Sequence, residues 1–373
     1  MRKLGFGLMR LPLTDPNDSA SIDMEQAKQM IDEFIDNGFT YFDTAYMYHK
    51  YKSETAVKEL LTSRHDRNSF TLTSKLPIMS LHSAEELEKV FNEQLEKCGV
   101  DYFDYYLVHN VNRSDIDNVN KFDAFGFIQR KKAEGKIRHI GFSFHDTAEM
   151  LDTVLTQHPE VELVQLQINY LDWEHGQVQS RLCYETARKH NKPVVIMEPV
   201  KGGTLASVPD SALRLMHSVH PDMSPASWAI RFAASLEGVM VVLSGMSDLS
   251  QLRDNMSYMK ELSPLTEEEL EVIRSVTDIV YSSILIPCTG CAYCVEKCPA
   301  NIPIPDYFSL FNRKKQGKLP RTSDGRSEEY DALTASHGRA SDCLRCGKCE
   351  SLCPQHIEIR SKLEKIAKEF EKE

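Results

Sequence analysis

The sequence predicts an α/β chain: a (β/α)8 barrel followed by a small, mainly α-helical, cysteine-rich domain. Three observations predict it. Up to about residue 260, eight short apolar runs alternate with longer amphipathic stretches. None of the eight runs leads into a G-x-G-x-x-G turn, the fingerprint of an open, doubly wound dinucleotide-binding sheet. After residue 287 the composition changes, and one cysteine run appears twice. The length of 373 residues suits a barrel of about 250 residues with a further domain of about 120.

The strand candidates, in order, are KLGFGLM, GFTYFDTA, SFTLTSK, FDYYLVH, KIRHIGFS, ELVQLQIN, KPVVIME and GVMVVLS. Helical periodicity fills the gaps. In MEQAKQMIDEFIDNG, Ala27, Met30, Ile31, Phe34 and Ile35 share a face and Gly38 stands where a C-cap belongs. In AEELEKVFNEQLEKCG, Leu87, Val90, Phe91 and Leu95 do the same ahead of Gly99. Eight such units with right-handed crossovers close into a (β/α)8 TIM barrel over 1–262. A connecting helix is expected over 263–286, opened by a capping box of Thr266 and Glu269 just after Pro264. The remainder, 287–373, is the second domain. Within it IPDYFSLFNRKKQG, RSEEYDALTASHG and the C-terminal IRSKLEKIAKEFEKE read as helices, the last with Ile359, Leu363, Ile366 and Phe370 on one face.

Composition narrows the function. The chain is 41% hydrophobic and 27% charged with a net charge of −11, which disfavours a nucleic-acid or anionic-membrane partner. No apolar run approaches the ~20 residues of a membrane helix. Arg10 and Pro12 interrupt the apolar start, and no small-residue cleavage site follows, so a signal peptide is not expected. The chain reads as cytoplasmic.

Eight of the ten cysteines fall in the last part of the chain. Each run reads C-x-x-C-x-x-C-x-x-x-C-P-x-x-I-x-I: Cys288, Cys291, Cys294 and Cys298, then Cys343, Cys346, Cys349 and Cys353. This is the bacterial-type iron–sulfur run, in which the fourth cysteine ligates the other cluster. One [4Fe–4S] cube is therefore expected on Cys288, Cys291, Cys294 and Cys353, and a second on Cys343, Cys346, Cys349 and Cys298. Zinc also binds paired C-x-x-C motifs, but two tandem runs of four, each followed by proline, favour cubes. The long helical stretch between the runs resembles the α-helical two-cluster ferredoxins and implies one-electron transfer. Cys98 and Cys183, isolated in helical stretches, read as inert core thiols.

The barrel half resembles the aldo-keto reductases. FDTAYMY matches the family's D-T-A-x-x-Y signature and supplies Asp43 and Tyr48; TSK supplies Lys75 and YLVH supplies His109. The resemblance spans about 260 residues, includes GKIRHIGFS and VQLQINY, and implies a catalytic tetrad at C-terminal strand ends. A phenol with a reference pKa near 10 is a poor acid at neutral pH. Lys75 would stabilise the tyrosinate, Asp43 would keep Lys75 protonated, and His109 would orient the substrate oxygen. Tyr48 is thus the expected general acid.

For the cofactor, the resemblance implies that Ser143 and Gln165 hydrogen-bond a nicotinamide carboxamide, although Phe144 stands where the family usually has asparagine. Met197 replaces the stacking tyrosine. Gly7, Ser244 and the VKGG loop with Lys201 and Gly202 are further expected contacts, the loop offering charge and close approach to a phosphate. Asp254 and Asn255 match adenine contacts. Gly245 and Gln251 occupy positions where NADPH users carry lysine and arginine, which weakens the 2′-phosphate site and leaves NADPH, NADH and FMN open. The expected function is a redox enzyme of a ferredoxin-fused branch. It would convert a small carbonyl or alcohol and exchange electrons with ferredoxin or another electron-transfer protein. The alternative is a redox sensor or electron carrier whose barrel is a non-catalytic scaffold.

Overall fold

All eight expected strands form: β1 (Leu4–Gly7), β2 (Tyr41–Asp43), β3 (Thr71–Leu76), β4 (Phe103–Val111), β5 (Ile137–Phe144), β6 (Leu163–Gln167), β7 (Val194–Met197) and β8 (Val239–Ser244). The structure is a computed structural model that describes residues 2–16, 18–316, 319 and 327–371. Each strand pairs in parallel with its sequence neighbour, and β1 pairs with β8 to close the barrel. Among the described residues, no helix is long and apolar enough to cross a membrane.

Strand periodicity sorts the side chains. Tyr41, Leu107, Leu163, Val195, Val241 and Leu243 are buried together inside the barrel, while Phe6 and Phe42 turn outward onto Phe34 of the helix Met24–Asp36. That helix starts on Asp23, whose carboxylate accepts from the Gln26 N–H. It ends one residue earlier than the glycine pattern indicates: Asn37 is the C-cap, and Gly38 follows with φ +76°. The N–H groups of Gly38 and Phe39 bond the carbonyls of Ile35 and Phe34, and the Phe39 ring stacks on Phe34 at 5.1 Å. This is a Schellman ending, for which a residue without Cβ is favoured. The helix Glu85–Cys98 buries Leu87, Val90, Phe91 and Leu95 as expected.

The chain divides by contacts into two units. The first comprises the chain up to Val200 together with Asp222–Leu270. The second joins Lys201–Pro221 to the chain from Glu271 onward. The sequential boundaries expected at 262 and 287 miss the excursion after β7, because its partners lie far along the chain. Lys201 is buried and its Nζ donates to Gln355 Oε1 at 2.9 Å. Gly202 has φ +62°, and a Cβ there would sit 2.3 Å from the Thr289 carbonyl oxygen. Backbone meets backbone at that point, so only glycine fits.

The second unit has its own core of Tyr307, Phe308, Tyr330, Leu363, Ile366 and Phe370 among others. Its helices are Ile304–Lys315, Glu328–Thr334 and Ile359–Phe370. Tyr330 is stacked between Tyr307 at 4.8 Å and Phe370 at 5.1 Å. Of the stretches expected to be helical, Gly317, Arg326, Lys372 and Glu373 lie outside the described residues.

The helix Glu267–Ser283 opens on the expected capping box: the Thr266 N–H donates to Glu269 Oε2 at 2.7 Å and the Glu269 N–H to Thr266 Oγ1 at 3.2 Å. Glu269 has a second task. Its Oε1 takes a 2.6 Å bond from Arg231 Nη1, with both side chains buried. Removing one partner of such a pair strands a buried charge. Glu269→Ala is therefore expected to destabilise the barrel unit by about 3–5 kcal/mol. The check is denaturant unfolding followed by the fluorescence of Trp173 and Trp228, both of which lie in that unit.

Candidate active site and cluster cavities

The barrel's period of two builds the candidate site. A residue two positions beyond an interior side chain returns to the interior at the C-terminal rim. Asp43 follows Tyr41, His109 follows Leu107, Gln165 follows Leu163, Met197 follows Val195 and Gly245 follows Leu243 in this way. Gly7 and Ser143 likewise follow Gly5 and Gly141, whose missing side chains would meet interior residues. Lys75 completes the ring from β3. The rim thus gathers residues from β1 to β7 and the residue just after β8, at the end where barrel enzymes carry their chemistry.

Lys75 is the hub. Its Nζ donates to Asp43 Oδ1 at 2.6 Å and to the Thr44 carbonyl at 2.8 Å, and it reaches the Tyr48 phenol oxygen at 3.4 Å. Asp43 also accepts from Gln165 Nε2 at 3.3 Å. Burial raises Asp43 and lowers Lys75, pushing each toward its neutral form, and their mutual attraction opposes both shifts. His109 presents its ring edge-on to Tyr48, with centroids 6.1 Å apart and planes at 80°. Burial first, then the charges of Lys75 and His145, hold its imidazole well below the ordinary histidine range. His109 is therefore neutral at physiological pH. Asp43, Lys75 and His109 are buried, while Tyr48 is partly exposed.

The loop that carries Tyr48 is locally unusual. His49, Lys50 and Tyr51 follow it with φ of 52°, 50° and 69°, a left-handed run that costs energy for residues with a Cβ. His49 secures it: its buried ring bonds the Ser19 carbonyl through Nδ1 at 2.6 Å and accepts the Leu11 N–H at Nε2 at 3.2 Å.

The expected cofactor residues fall into two sets. Buried Gln165 keeps an Oε1 with no hydrogen-bond partner among the described residues. Ser143 Oγ accepts the Asn110 N–H at 2.8 Å, a bond that does not use its own hydroxyl hydrogen. Met197 is partly exposed at the end of β7. The second set is engaged elsewhere. Lys201 and Gly202, expected near a phosphate, serve the second unit as described. Asn255 donates to Ser244 Oγ at 2.7 Å and accepts from the Tyr258 hydroxyl at 2.6 Å. Asp254 accepts from Ser224 Oγ at 2.7 Å. Gln251 is held by Asp248 and Ser247 at the start of the helix Leu249–Met259, and Arg253 makes two bonds to Glu33. Gly245 packs against the side chain of Arg10.

In the second unit, two cavities sort the eight cysteines. One is lined by Cys288, Cys291, Cys294 and Cys353 and the other by Cys343, Cys346, Cys349 and Cys298. Each thus takes three thiols from one run and the fourth from the other. Among the described residues, no three His, Cys, Asp or Glu side chains converge closely enough to hold a single ion. Away from these cavities, Cys98 and Cys183 are buried, and burial pushes both thiols up, Cys183 to about 12.

Residues 3–278 match the aldo/keto reductase family, and residues 287–358 match the 4Fe-4S dicluster domain. The chain belongs to the aldo/keto reductase family. It is 24% identical to an uncharacterized oxidoreductase, YqkF, of Bacillus subtilis, over 74% of this chain and 97% of that protein. It is 23% identical to L-galactose dehydrogenase of Arabidopsis thaliana, over 65% and 81%. Among solved structures, the holo form of an aldo-keto reductase from Bacillus halodurans superposes with a TM-score of 0.58 at 23% identity, covering 74% of this chain and 91% of that one. An aldo-keto reductase from Klebsiella pneumoniae in complex with NADPH gives 0.57 at 19%, covering 74% and 90%. This aldo/keto reductase therefore carries a 4Fe-4S dicluster domain beyond the barrel.

Sequence reasoning missed Glu54. It lies on the short helix Ser53–Val57 and is fully buried. It accepts from Ser74 Oγ at 2.7 Å and Gln94 Nε2 at 2.6 Å, while Gln94 also bonds the Lys75 carbonyl at 3.1 Å. Lys75 is thus flanked from behind by a second carboxyl, whose signal was a lone glutamate six residues after Tyr48. Burial raises Glu54 from 4.5 to about 7. Between those values the folded chain keeps a proton that the unfolded chain releases, so stability falls as pH rises through that window, by up to about 3 kcal/mol. Glu54→Gln is expected to flatten this slope. Denaturation curves at about pH 5 and pH 7.5, compared with the parent protein, are the measurement.

Proposed function

We propose that this aldo/keto reductase is a nicotinamide-dependent oxidoreductase of small carbonyl or alcohol substrates, with Tyr48 as its proton donor and acceptor. In this reading its second unit exchanges single electrons through two [4Fe–4S] clusters with a protein such as ferredoxin. One observation carries the catalytic half: a single buried ammonium, Lys75, bonds Asp43 at 2.6 Å and stands 3.4 Å from the phenol oxygen of Tyr48.

The residues present fit a nicotinamide. Gln165 Oε1 is a buried acceptor without a partner among the described residues, suited to a carboxamide N–H, and the Ser143 hydroxyl can donate to the carboxamide oxygen. Met197 would pack on the ring face. When bound, the nicotinamide supplies or accepts two electrons as hydride at the substrate carbon. The chain's own residues then handle the proton. Tyr48 Oη gives its hydrogen to the substrate oxygen as negative charge develops there. Lys75 holds positive charge beside the phenolate that results, and Asp43 keeps that charge in place. Neutral His109 hydrogen-bonds the same substrate oxygen and fixes its direction. Oxidation of an alcohol runs through the same groups in reverse. We favour the nicotinamide over FMN because the similar Klebsiella pneumoniae structure is a complex with NADPH. Thiolate ligands need reducing surroundings, so we place the protein in the cytoplasm.

The eight cysteines fit two cubes. Four thiols surround each cavity, in the shared three-plus-one pattern of two-cluster ferredoxins, and their spacing does not suit one small ion. Cys288, Cys291, Cys294 and Cys353 would hold one cluster, and Cys343, Cys346, Cys349 and Cys298 the other.

Two experiments test these halves separately. Tyr48→Phe should lower carbonyl-reduction kcat by about 10²–10⁴-fold while nicotinamide binding, read by fluorescence quenching, stays within about twofold; a parental rate would refute the assignment. Cys298→Ser and Cys346→Ser, purified anaerobically, should each cut iron from about eight to about four per chain and abolish the same electron-paramagnetic signal. Loss of different signals by the two variants would break the shared ligation.

A further inference from the structure

The two cysteine cavities have different surroundings. Apart from its cysteines, the cavity of Cys288, Cys291, Cys294 and Cys353 is lined by apolar and uncharged polar residues. The cavity of Cys298, Cys343, Cys346 and Cys349 is lined by Lys297, Lys348 and Arg360, with no acidic side chain in its lining. Arg360 is matched by Glu350 at 2.6 Å, which leaves the two exposed lysines to set the local sign. Exposed Arg345 adds to them, reaching Glu364 only at 3.5 Å. In the same wall stands Leu344, 69% exposed, next to exposed Cys346. Leu344 thus shares its wall with Lys297 and Lys348 and neighbours Arg345 in sequence, a locally basic, partly apolar spot on a chain of net charge −11, to which a partner of opposite charge is drawn.

We propose that this face, centred on Leu344 and flanked by Lys297, Arg345 and Lys348, is the docking site for a small acidic electron-transfer protein. The cluster on Cys298, Cys343, Cys346 and Cys349 is then the port where electrons enter or leave. The inference rests on the reading that the cysteines hold two cubes. The transfer itself makes and breaks no bond: the reduced carrier loses one electron and the cube gains it. Complementary charge brings the acidic carrier to this face, and Leu344 gives it a dry contact at the centre. The same lysines stabilise the added negative charge of a reduced cube, so this cluster is the more readily reduced of the two.

The test uses the full-length, cluster-loaded protein and, as probe, a pre-reduced acidic plant-type [2Fe–2S] ferredoxin mixed under anaerobic stopped flow. The second-order rate of cluster reduction should fall at least about tenfold between about 50 and 500 mM salt. Lys297→Glu/Lys348→Glu should lower the low-salt rate by about tenfold or more and remove most of the salt dependence. Leu344→Asp should slow it without changing the iron content. Photoreduced deazaflavin, which needs no docking patch, should reduce all variants to the same extent. In a potentiometric titration the double variant should shift one of the two clusters downward and leave the other in place. A salt-independent rate, or a double variant as fast as the parent, would overturn the docking site. A parent protein free of iron and sulfide would instead overturn the two-cluster reading beneath it.

Discussion

A lysine sealed in the barrel's rim governs the arrangement around it. Taking an ammonium and a carboxylate out of water costs several kcal/mol per ion. Lys75 and Asp43 offset this only by meeting at 2.6 Å, with Thr44 and Gln165 taking up further hydrogen-bonding capacity. The lysine is fixed by these contacts. It is held by β2 on one side and faces the phenol on the other, so the half-exposed Tyr48 is the only member of the group that reaches solvent. His109 stays uncharged beside it because burial disfavours its charged form and the neighbouring Lys75 cation adds to that.

That rim was legible in the sequence through the resemblance carried by FDTAYMY, TSK and YLVH, and two simple rules explain why the fold gathers those residues. Alternation along a strand decides which residues face inward, and parallel closure decides which end they share. Tyr41 and Asp43, or Leu163 and Gln165, follow from those rules once the strands are known. The capping box at Thr266 was legible because it depends on neighbours a few residues away, and Gly38 marked the end of its helix to within one residue, the C-cap itself being Asn37.

What stayed hidden depends on distant partners. Lys201 in a glycine-containing loop after β7 has the look of a phosphate ligand, but its bond to Gln355 spans more than 150 positions. Glu54 looks like an ordinary helical glutamate until Ser74 and Gln94 close over it. His49 is one more polar residue in a loop until Leu11 and Ser19 are seen on its ring. The cysteine runs are the opposite case. Thiol spacing in the sequence already gave the three-plus-one sorting, but not the contrast in charge between the two cavities, which arises from Lys297 and Lys348 lying in different runs and meeting only in space.

The excursion Lys201–Pro221 has an architectural consequence. Its buried lysine and its Gly202 contact take their partners from Gln355 and Thr289, yet it is spliced between β7 and β8. The last barrel strand therefore cannot be reached along the chain without passing through a segment that finishes folding only once the C-terminal region has been made.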